Sequence, residues 1–199
     1  KMAEIAVVLA AAMLLLAVKP QFMDDALPDY RRFVGPDATF LSIAAGKTLA
    51  YFKDRLGAGA EIVRSMPNTP AAVGRGITAI YRDPKVRKDR LDLCGALLKA
   101  VGKVEWVDAE DLLNAVTAVS GGGPAYVFLL IETLAEAARA AGLPADLAMR
   151  LARETVAGSG ELARLSDESA AQLRQNVTSP KGTTLEALNV LMAPDGCSR

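Results

Sequence analysis

Two short segments of the sequence combine hydroxyl-bearing residues with a helix start, and the first is rich in glycine. It covers Asn114–Phe128, NAVTAVSGGGPAYVF, in which the three glycines Gly121–Gly123 precede Pro124. Glycine has no Cβ, so other groups can approach its backbone closely. Proline is favoured in the first turn of a helix, where its missing N–H is not needed. We expect a flexible loop that leads directly into a helix.

The second segment is Gln175–Leu188, QNVTSPKGTTLEAL. Either Thr183 or Thr184 can cap a helix that carries Leu185 and Leu188 on one face. A helix start offers unpaired N–H groups and partial positive charge, which favour a carboxylate or a phosphate. Two such starts in one chain predict a pocket for a small anion.

The composition limits the chemistry of that pocket. The 199 residues include no histidine, which removes the most common general base and metal ligand, and we expect no metal. Basic and acidic residues balance at 23 each, so we expect no nucleic-acid partner. Cys94 and Cys197 match no metal or redox spacing, and we expect a reduced, cytoplasmic protein.

An uncharged run at Ile5–Val18 is too short to span a membrane as a helix. It ends in Lys19 and Pro20 rather than in a small-residue cleavage site, which argues against a secretory signal. We therefore expect no membrane partner. We expect instead that the sequence joins separate pieces of a longer chain here, near Ala10–Ala12.

From residue 34 onward, short apolar strands alternate with segments of helical periodicity. This alternation predicts a parallel sheet covered by helices on both faces. The predicted strands are Ala38–Ala44, Glu61–Ser65, Ile77–Tyr81 and Lys103–Val107, and the predicted helices between them are Thr48–Leu56 and Asp89–Val101.

After Asp108 the pattern is helical. Pro124–Ala141 is apolar around its whole circumference, so it must be buried. Further helices are predicted after Pro144, at Ser166–Gln175 and at Thr183–Met192. About 90 residues make a small core alone, and a second copy of the chain is the expected cover. We divide the chain into residues 1–108 and 109–199.

Four motifs resemble the pyrroline-5-carboxylate reductase family. They are LLLAVKPQ at Leu14–Gln21, MPNTPAAVGRGITAIY at Met66–Tyr81, AVSGGGPAYVF at Ala118–Phe128 and NVTSPKGTTLEAL at Asn176–Leu188. The resemblance implies an α/β fold: an incomplete Rossmann-like, dinucleotide-binding sheet domain, its glycine-rich first part missing, followed by an all-helical dimerisation and substrate-binding domain. It also implies reduction of 1-pyrroline-5-carboxylate to L-proline with NADPH or NADH, the last step of proline biosynthesis, by a homodimer or higher homo-oligomer.

For the second segment the resemblance implies a carboxylate cradle that begins at Ser179. The N–H groups of Gly182, Thr183 and Thr184 and the Thr184 hydroxyl hold the acid group of the substrate. A turn followed by a helix cap is the alternative. The family often has glycine where Lys181 stands, so this lysine either adds positive charge or points into solvent.

The resemblance places the nucleotide at the carboxyl ends of the strands, where ligands bind in open α/β sheets. Lys19 can reach the ribose or a phosphate. Asn68 is equally a turn former, and Asn176 either bonds the cofactor or stabilises its loop. The predicted cofactor-binding residues are Ala17, Val18, Lys19, Pro20, Ile43, Ala45, Asn68 and Asn176.

The resemblance also implies that the nicotinamide and the imine ring stack against the bare backbone of Ser120–Pro124, although tight packing alone would also explain the glycines. The family commonly has serine where Gly122 stands. Thr117 is the nearest hydroxyl that can protonate the imine nitrogen, unless the imine binds already protonated. Such a reaction needs no nucleophile, because the cofactor carries the reducing chemistry and the protein positions the reactants.

Three alternatives compete with this interpretation. Hydroxyacid dehydrogenases use a lysine of the helical domain as their acid, and no lysine lies between Val104 and Pro180. A reductase of another cyclic imine passes that test. A non-enzymatic helical dimerisation module on a nucleotide-binding fold is favoured only by the absent glycine turn.

Overall fold

The computed structural model describes residues 13–194 and residue 196, so most of the predicted run that starts at Ile5 lies outside the described residues. The strands are β1 Met13–Leu16, β2 Thr39–Ser42, β3 Glu61–Met66, β4 Gly76–Tyr81 and β5 Gly102–Val107. The α-helices are α1 Met23–Tyr30, α2 Leu49–Leu56, α3 Lys88–Lys99, α4 Leu112–Val116, α5 Gly123–Ala140, α6 Ala145–Leu165, α7 Ala170–Asn176 and α8 Thr183–Leu191.

The five strands form one sheet in chain order. β1, β2 and β3 are parallel, with Leu16, Ser42 and Arg64 in register, and β5 is parallel to β4. The β3–β4 pair is antiparallel, so the prediction of a purely parallel sheet is wrong at this pair. The reason is the connection: only a short 3-10 turn, Thr69–Val73, separates the two strands, and a parallel pair needs a longer crossover.

Alternate strand residues supply two cores, one on each face of the sheet. Leu16 and Phe40 pack with α1 and α2 on one face. Leu41 and Ile80 pack with α3, including Cys94, on the other. Fully burying one large apolar side chain stabilises a fold by roughly 1.5–3 kcal/mol, so these two layers hold the strand ends of the sheet in fixed positions.

Local side-chain caps set the starts of α2 and α7. The Thr48 hydroxyl accepts a hydrogen bond from the Tyr51 N–H at 3.1 Å, which starts α2. The Ser169 hydroxyl accepts from the Gln172 N–H at 3.2 Å, so α7 begins at Ala170 rather than at the predicted Ser166. A cap of this kind is worth about 1 kcal/mol.

The chain divides into a first compact unit up to Tyr126 and a second from Val127. The predicted domain boundary after Asp108 stays a prediction. Most of α5 and all of α6, α7 and α8 belong to the second unit. Among its described residues, the buried side chains are Ala135, Ala148 and Ala152.

Candidate functional site

The carboxyl ends of β1, β2 and β3 meet at one edge of the sheet because these strands are parallel and in register. The chain leaves this edge through three turns. All the cofactor-binding residues predicted in the first unit lie in these turns: Ala17, Val18, Lys19, Pro20, Ile43, Ala45 and Asn68. In open α/β sheets, ligands bind in the crevice outside the carboxyl ends of the parallel strands.

The turn after β2 is held by hydrogen bonds and leaves part of its backbone uncovered. The Ser42 hydroxyl accepts from the Ala44 N–H at 3.2 Å, and the Ile43 N–H donates to the Leu16 carbonyl at 3.4 Å. Gly46 has a φ of 74°, a conformation that side chains disfavour. No described atom lies within 4 Å of the place where a Cβ on Gly46 would stand. The backbone of this turn is therefore fixed and accessible.

Asn68 has a structural partner. Its Oδ1 accepts a hydrogen bond from the Ile77 N–H at 2.9 Å, across the turn between β3 and β4. This bond supports the turn-forming role. No hydrogen bond joins its amide nitrogen to a described residue, so that group can still donate to a ligand.

Charged residues flank the edge, and most of them pair with one another. The Lys47 ammonium lies 4.0 Å from an Asp24 carboxylate oxygen and 4.1 Å from the centre of the Tyr51 ring. Burial, together with the hydrogen bond that the Tyr51 hydroxyl donates to Asp24, raises the pKa of Tyr51 to about 12. Hydrogen bonding from Arg55, then from Tyr51, lowers the pKa of Asp24. Lys19 forms no ion pair with the described residues.

The glycine-rich segment is helical, so the predicted flexible loop is wrong. The π-helical turn Thr117–Gly121 joins α4 to the start of α5, and Leu112–Ala140 is almost continuously helical. The segment is anchored by Leu113, which is buried in the first unit. Tertiary packing here outweighs the low helix propensity of glycine and valine. π-Turns occur frequently at functional sites.

The three glycines differ in how much space they leave. A Cβ on Gly121 would lie 2.6 Å from the Met66 methyl, and one on Gly122 would lie 2.8 Å from the Tyr126 hydroxyl oxygen. A Cβ on Gly123 would have no neighbour within 4 Å. Within the first unit, only Gly123 of the three offers backbone that no side chain covers.

Thr117 is half-buried at the start of the π-turn. Its hydroxyl donates to the Leu113 carbonyl at 2.7 Å, one turn earlier. In this rotamer the oxygen can accept a hydrogen bond, but its proton is already committed. The role of Thr117 as a proton donor stays a prediction that requires rotation of the hydroxyl.

The predicted cradle lies in the second unit, at the start of α8. Gly182 is the N-cap, and no side chain caps this helix, so Thr183 and Thr184 occupy its first two positions and are not caps. The Gly182 N–H donates to the Ser179 carbonyl at 3.1 Å. The N–H groups of Thr183 and Thr184 donate to no described residue. Lys181 has a φ of 58°, which agrees with a position that suits glycine.

Asn176 ends α7, and both ends of its side-chain amide are engaged. Its Nδ2 donates to a Glu168 carboxylate oxygen at 2.9 Å, and its Oδ1 accepts from the Gln172 amide at 2.8 Å. These bonds support the loop-stabilising role. A contact of Asn176 with the cofactor stays a prediction.

One feature of the edge was missed in the sequence. Arg64, in β3, is buried and donates to a Glu110 carboxylate oxygen at 2.6 Å. The local signal was an arginine directly after the apolar pair Ile62 and Val63 of a predicted strand, since buried arginine requires a partner. Nothing local identified Glu110 as that partner, because 46 positions separate the two residues.

Residues 110–197 match the family model described as pyrroline-5-carboxylate reductase dimerisation. The chain is 46% identical, over 178 residues, to the pyrroline-5-carboxylate reductase of Synechocystis, and 39% identical, over 183 residues, to that of Pseudomonas aeruginosa. These alignments cover 89% and 92% of the chain, and 66% and 67% of the relatives.

Solved structures agree. The pyrroline-5-carboxylate reductase of Coxiella burnetii superposes with a TM-score of 0.83 at 39% identity, covering 91% of this chain and 67% of that one. A pyrroline carboxylate reductase of Plasmodium falciparum with NADP bound superposes with a TM-score of 0.80 at 30% identity, covering 90% and 68%.

The chain belongs to the pyrroline-5-carboxylate reductase family. The family and the α/β fold class predicted from the four motifs are confirmed. The chain spans about two thirds of the length of these reductases. The match to the family's dimerisation model supports homo-oligomerisation.

The dimerisation region of this family member includes an exposed apolar helix. Leu112–Ala140 is, by length and composition, the one described helix that could cross a membrane. Phe128 is 58% exposed and Leu129 is 57% exposed. Exposed apolar surface of this extent requires a cover, which is either lipid or protein.

Proposed function

We propose that the protein reduces the C=N bond of 1-pyrroline-5-carboxylate to give L-proline, with NADPH or NADH as the hydride donor. The membership of the family supports this activity, as does the NADP bound to the P. falciparum relative. The observation that carries it is the start of α8. There the N–H groups of Thr183 and Thr184, which donate to no described residue, stand beside the hydroxyls of the same two threonines, and a carboxylate requires such donors.

The sheet edge fits a nicotinamide nucleotide. Its turns carry small residues, and the backbones of Gly46 and Gly123 are open to a flat ring. Lys19, without an ion pair to the described residues, is available to a phosphate or ribose. When it is bound, the nucleotide supplies the hydride. The turn after β1, which contains Ala17, and the turn after β2, which contains Ile43 and Ala45, hold the nucleotide in place.

The protein's own contribution is orientation. The α8 start holds the acid group of the substrate, which fixes one end of a small ring. Correct orientation of two reactants lowers the activation free energy by several kcal/mol. In the best intramolecular reactions it lowers it by about 7–11 kcal/mol. Because the Thr117 proton is committed to Leu113, we propose that the imine binds in its protonated form. In that case the Thr117 hydroxyl acts as a hydrogen-bond acceptor rather than as a proton donor.

The exposed apolar helices indicate which macromolecule the protein binds. We propose a homodimer or higher homo-oligomer in which a second copy covers the helical region, with neither a membrane nor a nucleic acid as partner. We also infer a cytoplasmic location, since the buried thiol of Cys94 is free and reduced thiols are typical of that compartment. Recovery of the protein in the membrane fraction of cells would contradict this inference.

Kinetics of Thr184 variants test the proposed site. Thr184→Ala removes the hydroxyl and keeps the N–H, so we expect the KM for 1-pyrroline-5-carboxylate to rise about tenfold, as for loss of one hydrogen bond to a charged group. The KM for NADPH should change less than about twofold. NAD(P)H absorbance gives both constants.

Thr184→Ser is the matched control, because it keeps the hydroxyl and should behave like the wild type. An unchanged KM for the imine in Thr184→Ala would contradict the role of this hydroxyl. Absence of turnover by the wild-type protein with both NADPH and NADH would contradict the proposed activity itself.

A further inference from the structure

An ion pair between a buried arginine and a partly buried glutamate joins the open edge of the sheet to the start of the glycine-rich helical segment. Arg64 stands in β3 in register with Ser42, two residues before β3 ends and the turn that contains Asn68 follows. Its side chain is 6% exposed, and its guanidinium donates to the Glu110 carboxylate at 2.6 Å. Such a buried arginine is costly without its partner, so the position of Glu110 is strongly fixed.

Glu110 makes two further bonds. The carboxylate oxygen that accepts a hydrogen bond from Arg64 also accepts one from the N–H of Leu49, at 2.6 Å. Leu49 is the first residue of α2. The backbone carbonyl of Glu110 accepts from the Leu113 N–H at 3.2 Å, at the start of α4. One residue thus contacts β3, α2 and α4.

These contacts fix the ends of two segments that the proposed function uses. The turn Ile43–Thr48 carries Ile43, Ala45 and Gly46, and it leads into α2 at Leu49. The helical segment with Thr117 and Gly123 begins at Leu112, two residues after Glu110. A second contact supports the same arrangement, since the Met66 methyl at the end of β3 lies against Gly121.

We propose that Glu110 is a positioning residue: its carboxylate holds the nucleotide-contacting turn after β2 and the start of α4 against Arg64, so that both keep one geometry. This inference rests on the proposed function for its kinetic consequence. The negative charge also favours the position, because it lies at the N-termini of two helices.

Hydrogen exchange and nucleotide binding of Glu110 variants test the inference without turnover. In Glu110→Ala the Leu49 N–H loses its acceptor, and its exchange should become at least about tenfold faster. The Kd for NADP⁺, measured by calorimetry, should rise about tenfold. Glu110→Gln keeps an acceptor oxygen but loses the charge, so a rise of about threefold is expected.

Asp108→Asn is the matched control. Asp108 is an exposed carboxylate two positions earlier that lies 3.8 Å from Arg82, and its neutralisation should leave the Kd and the Leu49 exchange unchanged. A purely structural role for Glu110 would lower the melting temperature and kcat per total protein while the KM for NADPH stayed constant, and that result would overturn the inference.

The two proposals fail in different ways. If the wild-type protein turns over the imine but Glu110→Gln keeps the wild-type KM for NADPH and Kd for NADP⁺, the positioning role is wrong and the activity stands. If the wild type shows no turnover, the activity is wrong, and Leu49 exchange together with NADP⁺ binding still decides the role of Glu110. Should Glu110→Ala fail to fold, Glu110→Gln gives the decision.

Discussion

The two units of the chain bury very different kinds of side chain. In the unit up to Tyr126, both faces of the sheet are covered, and Phe40, Leu41 and Phe52 are fully buried. Among the described residues from Val127 onward, only alanines are buried, while large apolar side chains are exposed: Val127, Phe128, Leu129, Leu130, Leu134, Leu143, Met149, Leu151, Leu162, Leu165, Val177, Val190, Leu191 and Met192. Among the described residues, the first unit buries large apolar side chains between its own elements, and the second does not.

The difference identifies what each unit requires. A helix that is apolar on all faces must be covered by protein or lipid. The family model that matches residues 110–197 is a dimerisation model, which favours protein. The interface of an obligate dimer resembles a domain core cut in half, and that describes the exposed faces of α5 and α6.

The largest effect is expected for a core substitution in the first unit. Phe52→Ala removes a fully buried ring between α2 and the sheet, so the free energy of unfolding should fall by about 3–5 kcal/mol. Denaturant unfolding measures this. Val73→Ala, at a side chain that is 76% exposed in the same unit, should change it by less than about 0.5 kcal/mol. Equal effects at both positions would contradict the assigned core.

A smaller effect, of a different kind, is expected in the second unit. Phe128→Asp places a charge on the exposed face of α5, so we expect association to weaken by about 2–4 kcal/mol. Sedimentation velocity over a dilution series measures the dissociation constant. Val73→Asp makes the same chemical change on the first unit and should leave association intact. If both variants associate like the wild type, α5 is not an interface.

Matched helix glycines separate ligand contact from stability. Gly123→Ala and Gly158→Ala each add a methyl with no neighbour within 4 Å, so each should raise the free energy of unfolding by up to about 1 kcal/mol. Gly123→Ala should also lower turnover about tenfold, because its methyl would occupy the space proposed for the stacked rings. A wild-type turnover rate in Gly123→Ala would show that the Gly123 backbone does not contact the ligands.

The smallest effect is expected at Lys181, whose φ of 58° suits glycine better than lysine. Lys181→Gly should stabilise the protein by less than about 1 kcal/mol, since the glycine also loses more entropy on folding. The KM for 1-pyrroline-5-carboxylate should stay within about twofold of the wild type. A large increase would show that the ammonium group binds the substrate.

Local signals in the sequence predicted much of the first unit. Short apolar strands bounded by glycine or proline, and the helix predicted at Thr48–Leu56, need only neighbouring residues to form, and the structure confirms them as β2, β3 and α2. Helix α1 was missed because Pro28 in its interior is typical of a break. The antiparallel β3–β4 pair was missed because strand alternation does not specify direction.

The site was predictable where it consists of backbone and less so where it depends on distant contacts. The turns after β1 and β2 lie at the expected edge of the sheet. The helical form of Thr117–Gly121 depends on packing of Leu113 and Met66, and the Arg64–Glu110 pair joins residues far apart in sequence. The roles assigned to Thr117, Thr184 and the cofactor-binding residues stay predictions.

Sedimentation equilibrium of the wild-type protein tests the central claim most directly: that the helical unit is completed by a second copy of the chain. The account predicts a mass of two or more chains at micromolar concentration, in the absence of detergent and lipid. A single-chain mass at every concentration, with the Leu112–Ala140 helix still exposed to hydrogen exchange or solvent labelling, would contradict it.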